Sequence, residues 1–202
     1  MKLVAISGKA NAGKDTFARM LSAHLDDDSL GMLEVIQIGF ADPLKELIGM
    51  KVFHFSEKQL WTDEKEKVDL RYNLSPRQVL QQAGVAMRDI YSEVWIQSMI
   101  HKINKFTTKV PSWPDPRPDF ILVSDLRFKN EMDMIASFDG YKIRIERSES
   151  TIPLGMDHAS ETELDNLSMD QWDAFYRNDA DLIELDQFAK EVADDLLRPL
   201  NC

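Results

Sequence analysis

Apolar positions along the chain fall into two rhythms. Leu3 to Ile6 form a continuous apolar run bounded by Ser7 and Gly8, the pattern of a buried strand. Phe17, Met20, Leu21 and Leu25 then recur at offsets of three, four and eight, which is one face of a helix. Glu34 to Phe40 reads as a second strand, and Ala41 to Lys45 opens a short helix with Pro43 in its first turn. Residues 51–73 are charged and weakly periodic, as in an insertion or a mobile segment. Ser75-Pro76 predicts an N-cap followed by a first-turn proline, starting a helix through Val79, Leu80 and Ala83. A longer helix follows, with Trp95, Ile96, Met99, Ile100 and Ile103 on one face.

Pro111, Pro114, Pro116 and Pro118 then make a stiff surface loop. Phe120 to Ser124 is another buried-strand run, ending at Asp125 and followed by a helix carrying Met132 and Ile135. Tyr141 to Glu146 alternates as a half-exposed strand should. Asp181 to Leu185 reads as a last short strand, and Leu185, Phe188, Ala189, Val192 and Leu196 give a closing amphipathic helix. Strands alternating with helices predict an α/β domain with a mostly parallel sheet.

Composition narrows the picture. The 202 residues suit one domain, and 44% hydrophobic with 29% charged residues is ordinary for a globular chain. A net charge of −11 and a pI near 4.8 argue against the broad basic surface that nucleic-acid binding needs. Affinity for phosphate must therefore be local. The only cysteine, Cys202, excludes disulfides and cysteine metal sites within one chain and suits a reducing cytoplasm. The apolar run at Leu3 stops at Gly8, too early for a signal peptide, and no stretch reaches the ~18 apolar residues of a membrane span.

Gly8-Lys-Ala-Asn-Ala-Gly-Lys14-Asp15-Thr16 matches the phosphate-binding pattern GxxxxGK, with Asp15 where Ser or Thr is usual. Gly8 and Gly13 permit the turns, the N–H groups around Asn11 and Ala12 point at phosphate oxygens, and the following helix adds its dipole. Lys14 would reach the β- and γ-phosphates. Asp15 repels phosphate unless Mg²⁺ or its water shell sits between, and Thr16 could share that metal role. Asp125 stands where a strand-end metal acid is found in such enzymes, although an N-cap explains it equally well. Arg127 and Glu131, four apart, read either as site residues or as a helix-surface pair. Arg77, Gln81, Gly84 and Arg88 place arginines on and just after one helix; their forks suit a dianionic monophosphate, although each taken singly also reads as an ordinary surface arginine. Spacing alone makes Trp95 a core residue and Asp26-Asp27-Asp28 a solvated helix end. His158 and Glu161 have no convincing zinc spacing.

Together these motifs resemble the deoxynucleoside monophosphate kinases of tailed bacteriophages, P-loop enzymes related to nucleoside monophosphate kinases. The resemblance rests on Gly8 to Thr16, Phe40 to Lys45, Ser75 to Gly84 with Arg88 and Trp95, Ser124-Asp-Leu-Arg-Phe-Lys-Asn-Glu131 and His158 to Glu161. It covers about residues 3–165. It implies a P-loop kinase fold over residues 1–202, with a helical acceptor-binding insertion near 51–110. Keeping water from the transferred phosphate calls for a closing lid, expected near 144–165. The resemblance implies ATP and Mg²⁺ as cofactors, catalytic roles for Lys14, Asp15, Asp125 and Arg127, and metal contacts from Asp15 or Thr16. Acceptor binding is implied for Asp42, Arg77, Gln81, Gly84, Val85, Arg88, Trp95, Asp125, Arg127 and Glu131. Ala12 replaces a frequent Ser, Val85 replaces a usual Thr, and Gln78 stands where a basic residue can occur.

The expected reaction moves the γ-phosphate of ATP to a deoxynucleoside monophosphate. The acceptor oxygen is already anionic, so alignment and charge neutralisation matter more than a general base. Competing readings are a P-loop kinase of the phosphomevalonate or dephospho-coenzyme A type, and a nucleotide-dependent NTPase switch. The expected partners are small nucleotides in the cytoplasm, without nucleic acid or membrane. The apolar helix from Trp95 to Ile103 fits either a core or a homodimer face.

Overall fold

The computed structural model of the chain describes residues 1–29, 31–107, 117–148 and 162–198. The elements run β1 (Lys2–Ser7), α1 (Lys14–Asp28), β2 (Val35–Ile38), a π-helix (Leu44–Val52), α2 (Glu57–Trp61), α3 (Pro76–Ile90) and α4 (Val94–Thr107). They continue with β3 (Phe120–Leu126), α5 (Lys129–Ser137), β4 (Tyr141–Glu146), β5 (Ala174–Arg177) and α6 (Leu182–Leu197). Two compact units result, one of residues 1–39 with 105–202 and one of residues 40–104.

The first unit is the α/β fold expected. Its five strands lie in the order β2-β3-β1-β4-β5, all parallel, with β1 in the middle. The alternation of a strand sends Val4 and Ile6 of β1 to one face, with Phe120, Leu122, Ile143 and Ile145 beside them. Phe17, Leu21 and Leu25 of α1 and Leu185, Ala189, Val192 and Leu196 of α6 cover that face. On the other face α5 lies against β1 and β4. A Cβ on Gly140 would come within 2.6 Å of the Ile135 side chain, so the turn from α5 into β4 is packed tightly.

Two sequence expectations fail here, both for local reasons. Asp181 does not begin a strand: its carboxylate accepts hydrogen bonds from the amides of Ile183 and Glu184 and caps α6. The last strand is instead β5, whose short run Ala174–Arg177 lacks a clean period. Tyr141–Glu146 is not half-exposed either. Strands on both sides bury Ile143, Arg144 and Ile145 in succession.

The second unit is helical. Ser75 forms the expected cap: its hydroxyl accepts from the Gln78 amide at 3.2 Å, and the Gln78 side chain accepts from the Ser75 amide at 2.8 Å. That reciprocal box gives Gln78 its own structural reason. The short helix expected to open at Ala41 to Lys45 is the π-helix Leu44–Val52. The charged stretch 51–73 is packed rather than mobile. Phe55, Leu60 and Val79 form its core, flanked by Phe53 and Tyr72, whose rings meet edge-on at 5.0 Å. Arg71 grips Asp69 at 2.6 Å while Gln59 donates to the same carboxylate at 2.9 Å. The Arg71 hydrogen bond, then that of Gln59, hold the Asp69 carboxyl well below the usual carboxylate range.

Candidate nucleotide site

The carboxyl ends of parallel strands are where α/β sheets bind ligands, and β1 ends in the glycine loop. Residues Gly8–Gly13 connect β1 directly to α1. Gly8 lies so close to β4 that a Cβ would sit 2.5 Å from the Ile145 carbonyl oxygen. Gly13 is the N-cap of α1 with φ of 96°, a left-handed conformation that a side chain disfavours. Asn11, at φ of 63°, makes the other left-handed turn of the loop. Ser75 and Asp181 cap their helices with side chains, whereas Gly13 offers α1 none. A helix beginning this way carries its partial positive charge toward an anion.

Lys14 is buried, with its ammonium 3.9 Å from the Asp15 carboxylate. Asp15 itself is exposed, its side chain 75% accessible, while Thr16 is half-buried and Ala12 buried. Oxygen donors of this kind suit Mg²⁺, which commonly takes one or two protein ligands and completes its shell with water and phosphate.

Beside β1, the end of β3 carries Asp125. The pairing runs Ala5 to Val123 and then Ser7 to Leu126, so β3 holds one extra residue at Ser124-Asp125. Such a bulge re-aims a side chain at the strand end. The strand continues to Leu126 and α5 starts only at Lys129, so Asp125 is not its N-cap. Glu131 is not a helix-surface residue. It is 3% exposed, and its Oε2 accepts from the backbone amides of Arg127 and Phe128 at 2.9 and 3.1 Å. It thereby closes the first turn of α5 and fixes the backbone at Arg127.

Several residues at this end of the sheet have roles that the sequence did not indicate. Arg144 is 4% exposed and saturated: Nη2 donates to Asp165 at 2.7 Å, Nη1 to Ser7 Oγ at 3.1 Å, and Nε to Glu146 at 3.2 Å. Trp172 lies under the guanidinium, 5.7 Å away. Asp165 also binds Lys9 of the glycine loop at 2.7 Å. Asn178, just past β5, donates from Nδ2 to the Ala12 carbonyl at 2.9 Å. The lid expected over 144–165 thus starts inside β4, and its part 149–161, with Gly155, His158 and Glu161, lies outside the described residues. Next to it, hydrogen bonds from the Ser148 hydroxyl and amide lower the pKa of Asp179.

In the helical unit Arg77, Gln81, Gly84 and Arg88 form one stripe along α3, with exposed Val85 beside it. Arg77 donates to Glu66 at 2.6 Å. Trp95 is buried and its Nε1 donates to the Gly84 carbonyl at 3.4 Å, a core position with a polar tether. Asp42 pairs with Lys102 at 3.1 Å.

With that geometry in place, similarity to known proteins narrows the choice. No protein-family model matches the chain. A protein of Acanthamoeba polyphaga mimivirus named "Putative deoxynucleotide monophosphate kinase" is 34% identical over 173 residues, covering 81% of this chain and 82% of its own length. The chain belongs to the deoxynucleotide monophosphate kinase family. Family membership makes it a nucleotide-using kinase with an α/β fold, as the resemblance implied. Among the described residues, no helix of this kinase is long and apolar enough to cross a membrane.

Proposed function

We propose that this kinase transfers the γ-phosphate of ATP to a deoxynucleoside 5′-monophosphate, giving ADP and the deoxynucleoside diphosphate. An oxygen of the acceptor phosphate forms the new bond to the γ-phosphorus, and the bond to the β–γ bridging oxygen breaks. The observation carrying this reading is the Gly8–Gly13 loop, set between a central strand and α1 with Lys14 buried at its end.

In this reading the loop amides and Lys14 hold the donor phosphates, and the α1 dipole adds to their field. Asp15 and Thr16 would hold Mg²⁺, which supplies charge neutralisation when bound. Asp125, re-aimed by its bulge, is the second acidic group of the site. Arg127 takes an acceptor phosphate oxygen, with Glu131 fixing the backbone from which it projects. Arg77, Gln81, Gly84 and Arg88, with Asp42, Val85 and Trp95, are the further acceptor-recognition candidates. Arginine forks fit the two charges of a monophosphate better than the neutral groups of most small metabolites. The reaction belongs to the cytoplasm, where ATP and monophosphates are found together.

The test is direct. The protein is mixed with ATP, Mg²⁺ and a panel of deoxy- and ribonucleoside monophosphates, alongside phosphomevalonate and dephospho-coenzyme A. ADP formation should be stimulated by a deoxynucleoside monophosphate and vanish in Lys14→Ala. Stimulation by another acceptor alone, or turnover indifferent to any acceptor, would overturn the assignment.

A further inference from the structure

The peptide joining Ala12 to Gly13 precedes a glycine in the left-handed conformation. Turn geometry lets such a peptide rotate about its own axis when a glycine follows, because glycine tolerates both outcomes. The two outcomes are opposite in charge. In a trans peptide the C=O and N–H point in antiparallel directions. One orientation therefore aims the Gly13 amide at a bound phosphate, and the other aims the Ala12 carbonyl oxygen there, which repels it.

Asn178 selects between them. Its Nδ2 donates to the Ala12 carbonyl at 2.9 Å. A carbonyl only accepts, so the nitrogen end of the Asn178 amide must face it. The Gly13 N–H then points away from Asn178. The clamp is rigid at both ends. Asn178 is 8% exposed, and its own amide donates to the Glu146 carbonyl at 2.7 Å, tying it to the end of β4. Its Nδ2 packs so close to Gly13 that a Cβ there would lie 2.4 Å away. The glycine is thus demanded twice, by its φ of 96° and by the asparagine above it.

We infer that Asn178 is a positioning residue for the nucleotide donor, holding the Ala12 carbonyl outward so that the Gly13 amide faces the phosphates. This rests on the kinase reading above. Asn178 touches no reacting atom and acts through the loop backbone.

The experiment measures ATP binding by calorimetry without acceptor, in wild type, Asn178→Ala and Asn178→Asp. Removing one hydrogen bond should weaken ATP by about 3- to 10-fold in Asn178→Ala. Asn178→Asp keeps the shape but sets oxygen against oxygen, and should weaken ATP by more than about 10-fold near pH 8. A carboxyl buried against a carbonyl has a raised pKa. On lowering the pH to about 5.5 it gains a proton to donate, so Asn178→Asp should recover toward wild type while Asn178→Ala does not. A merely structural role would give no such variant-specific pH profile. Dissociation of the monophosphate should stay within about twofold of wild type in both variants.

One further measurement needs no variant: the Gly13 amide resonance of ¹⁵N-labelled protein should move downfield on adding ADP. Folded variants that bind ATP within about twofold of wild type, or a Gly13 resonance that ADP leaves in place, would overturn the inference alone. Wild-type protein that binds no ATP would overturn the kinase reading and this inference together.

Discussion

The sheet unit and the helical unit present their candidate binding groups in different ways. In the sheet unit the glycine loop is mostly backbone: glycine turns, a helix start without a side-chain cap, and the Ala12 carbonyl held aside by buried Asn178. In the helical unit the candidates are side chains arrayed along α3, and Arg77 is already engaged with Glu66. The supporting structure differs in the same way. A continuous apolar core from two helices and three strands fixes the loop. A small cluster around Phe55, Leu60 and Val79, stapled by Arg71 and Asp69, supports the second unit. Backbone groups are preorganised at no cost when substrate arrives, whereas long side chains lose rotamer freedom as they bind. A donor site should therefore respond steeply to geometry, and an acceptor site more gradually to charge.

The largest test of that contrast is Lys14→Ala. Losing a preorganised cation at the transferring phosphate should cut kcat by about 100-fold or more, measured as monophosphate-dependent ADP release, with the thermal midpoint little changed. Next come Arg127→Ala and Arg77→Ala. Each should raise KM for the monophosphate by about 10- to 100-fold and leave KM for ATP near wild type. An equal rise for both substrates would break the division into donor and acceptor groups.

Gly8→Ala is smaller and of another kind. Its Cβ would press on the Ile145 carbonyl at 2.5 Å, so the loop or β4 must shift. A loss of about 1–3 kcal/mol in stability is expected, read from denaturant unfolding. The smallest effect concerns Asp69. Its folded pKa is depressed by Arg71 and Gln59, so its contribution is present above the unfolded value of about 3.9 and is lost as pH falls through the folded one. Acid titration followed by Tyr72 fluorescence should show the helical unit of Asp69→Asn less sensitive to pH below about 4 than wild type.

Much of the sheet unit was legible before the structure. Leu3–Ile6, the glycine motif and the Phe17–Leu25 face give strand, loop and helix in order, because local periodicity and glycine chemistry act over a few residues. The errors came where a neighbour overrode the local pattern. Asp181 looked like a strand start and is a helix cap; Arg144 looked half-exposed and is enclosed by strands on both sides and by Asp165. The Asp125 bulge exists only in the pairing of β3 with β1.

By itself the sequence determined that this protein has a glycine loop of the phosphate-binding pattern, and where it lies. That information is carried by residues adjacent in the chain whose conformational limits are their own. Tertiary structure alone decided what holds the loop's peptides in orientation. Asn178 and Ala12 stand 166 positions apart, and no periodicity links them. Only the parallel order of β1, β4 and β5 brings that amide to that carbonyl.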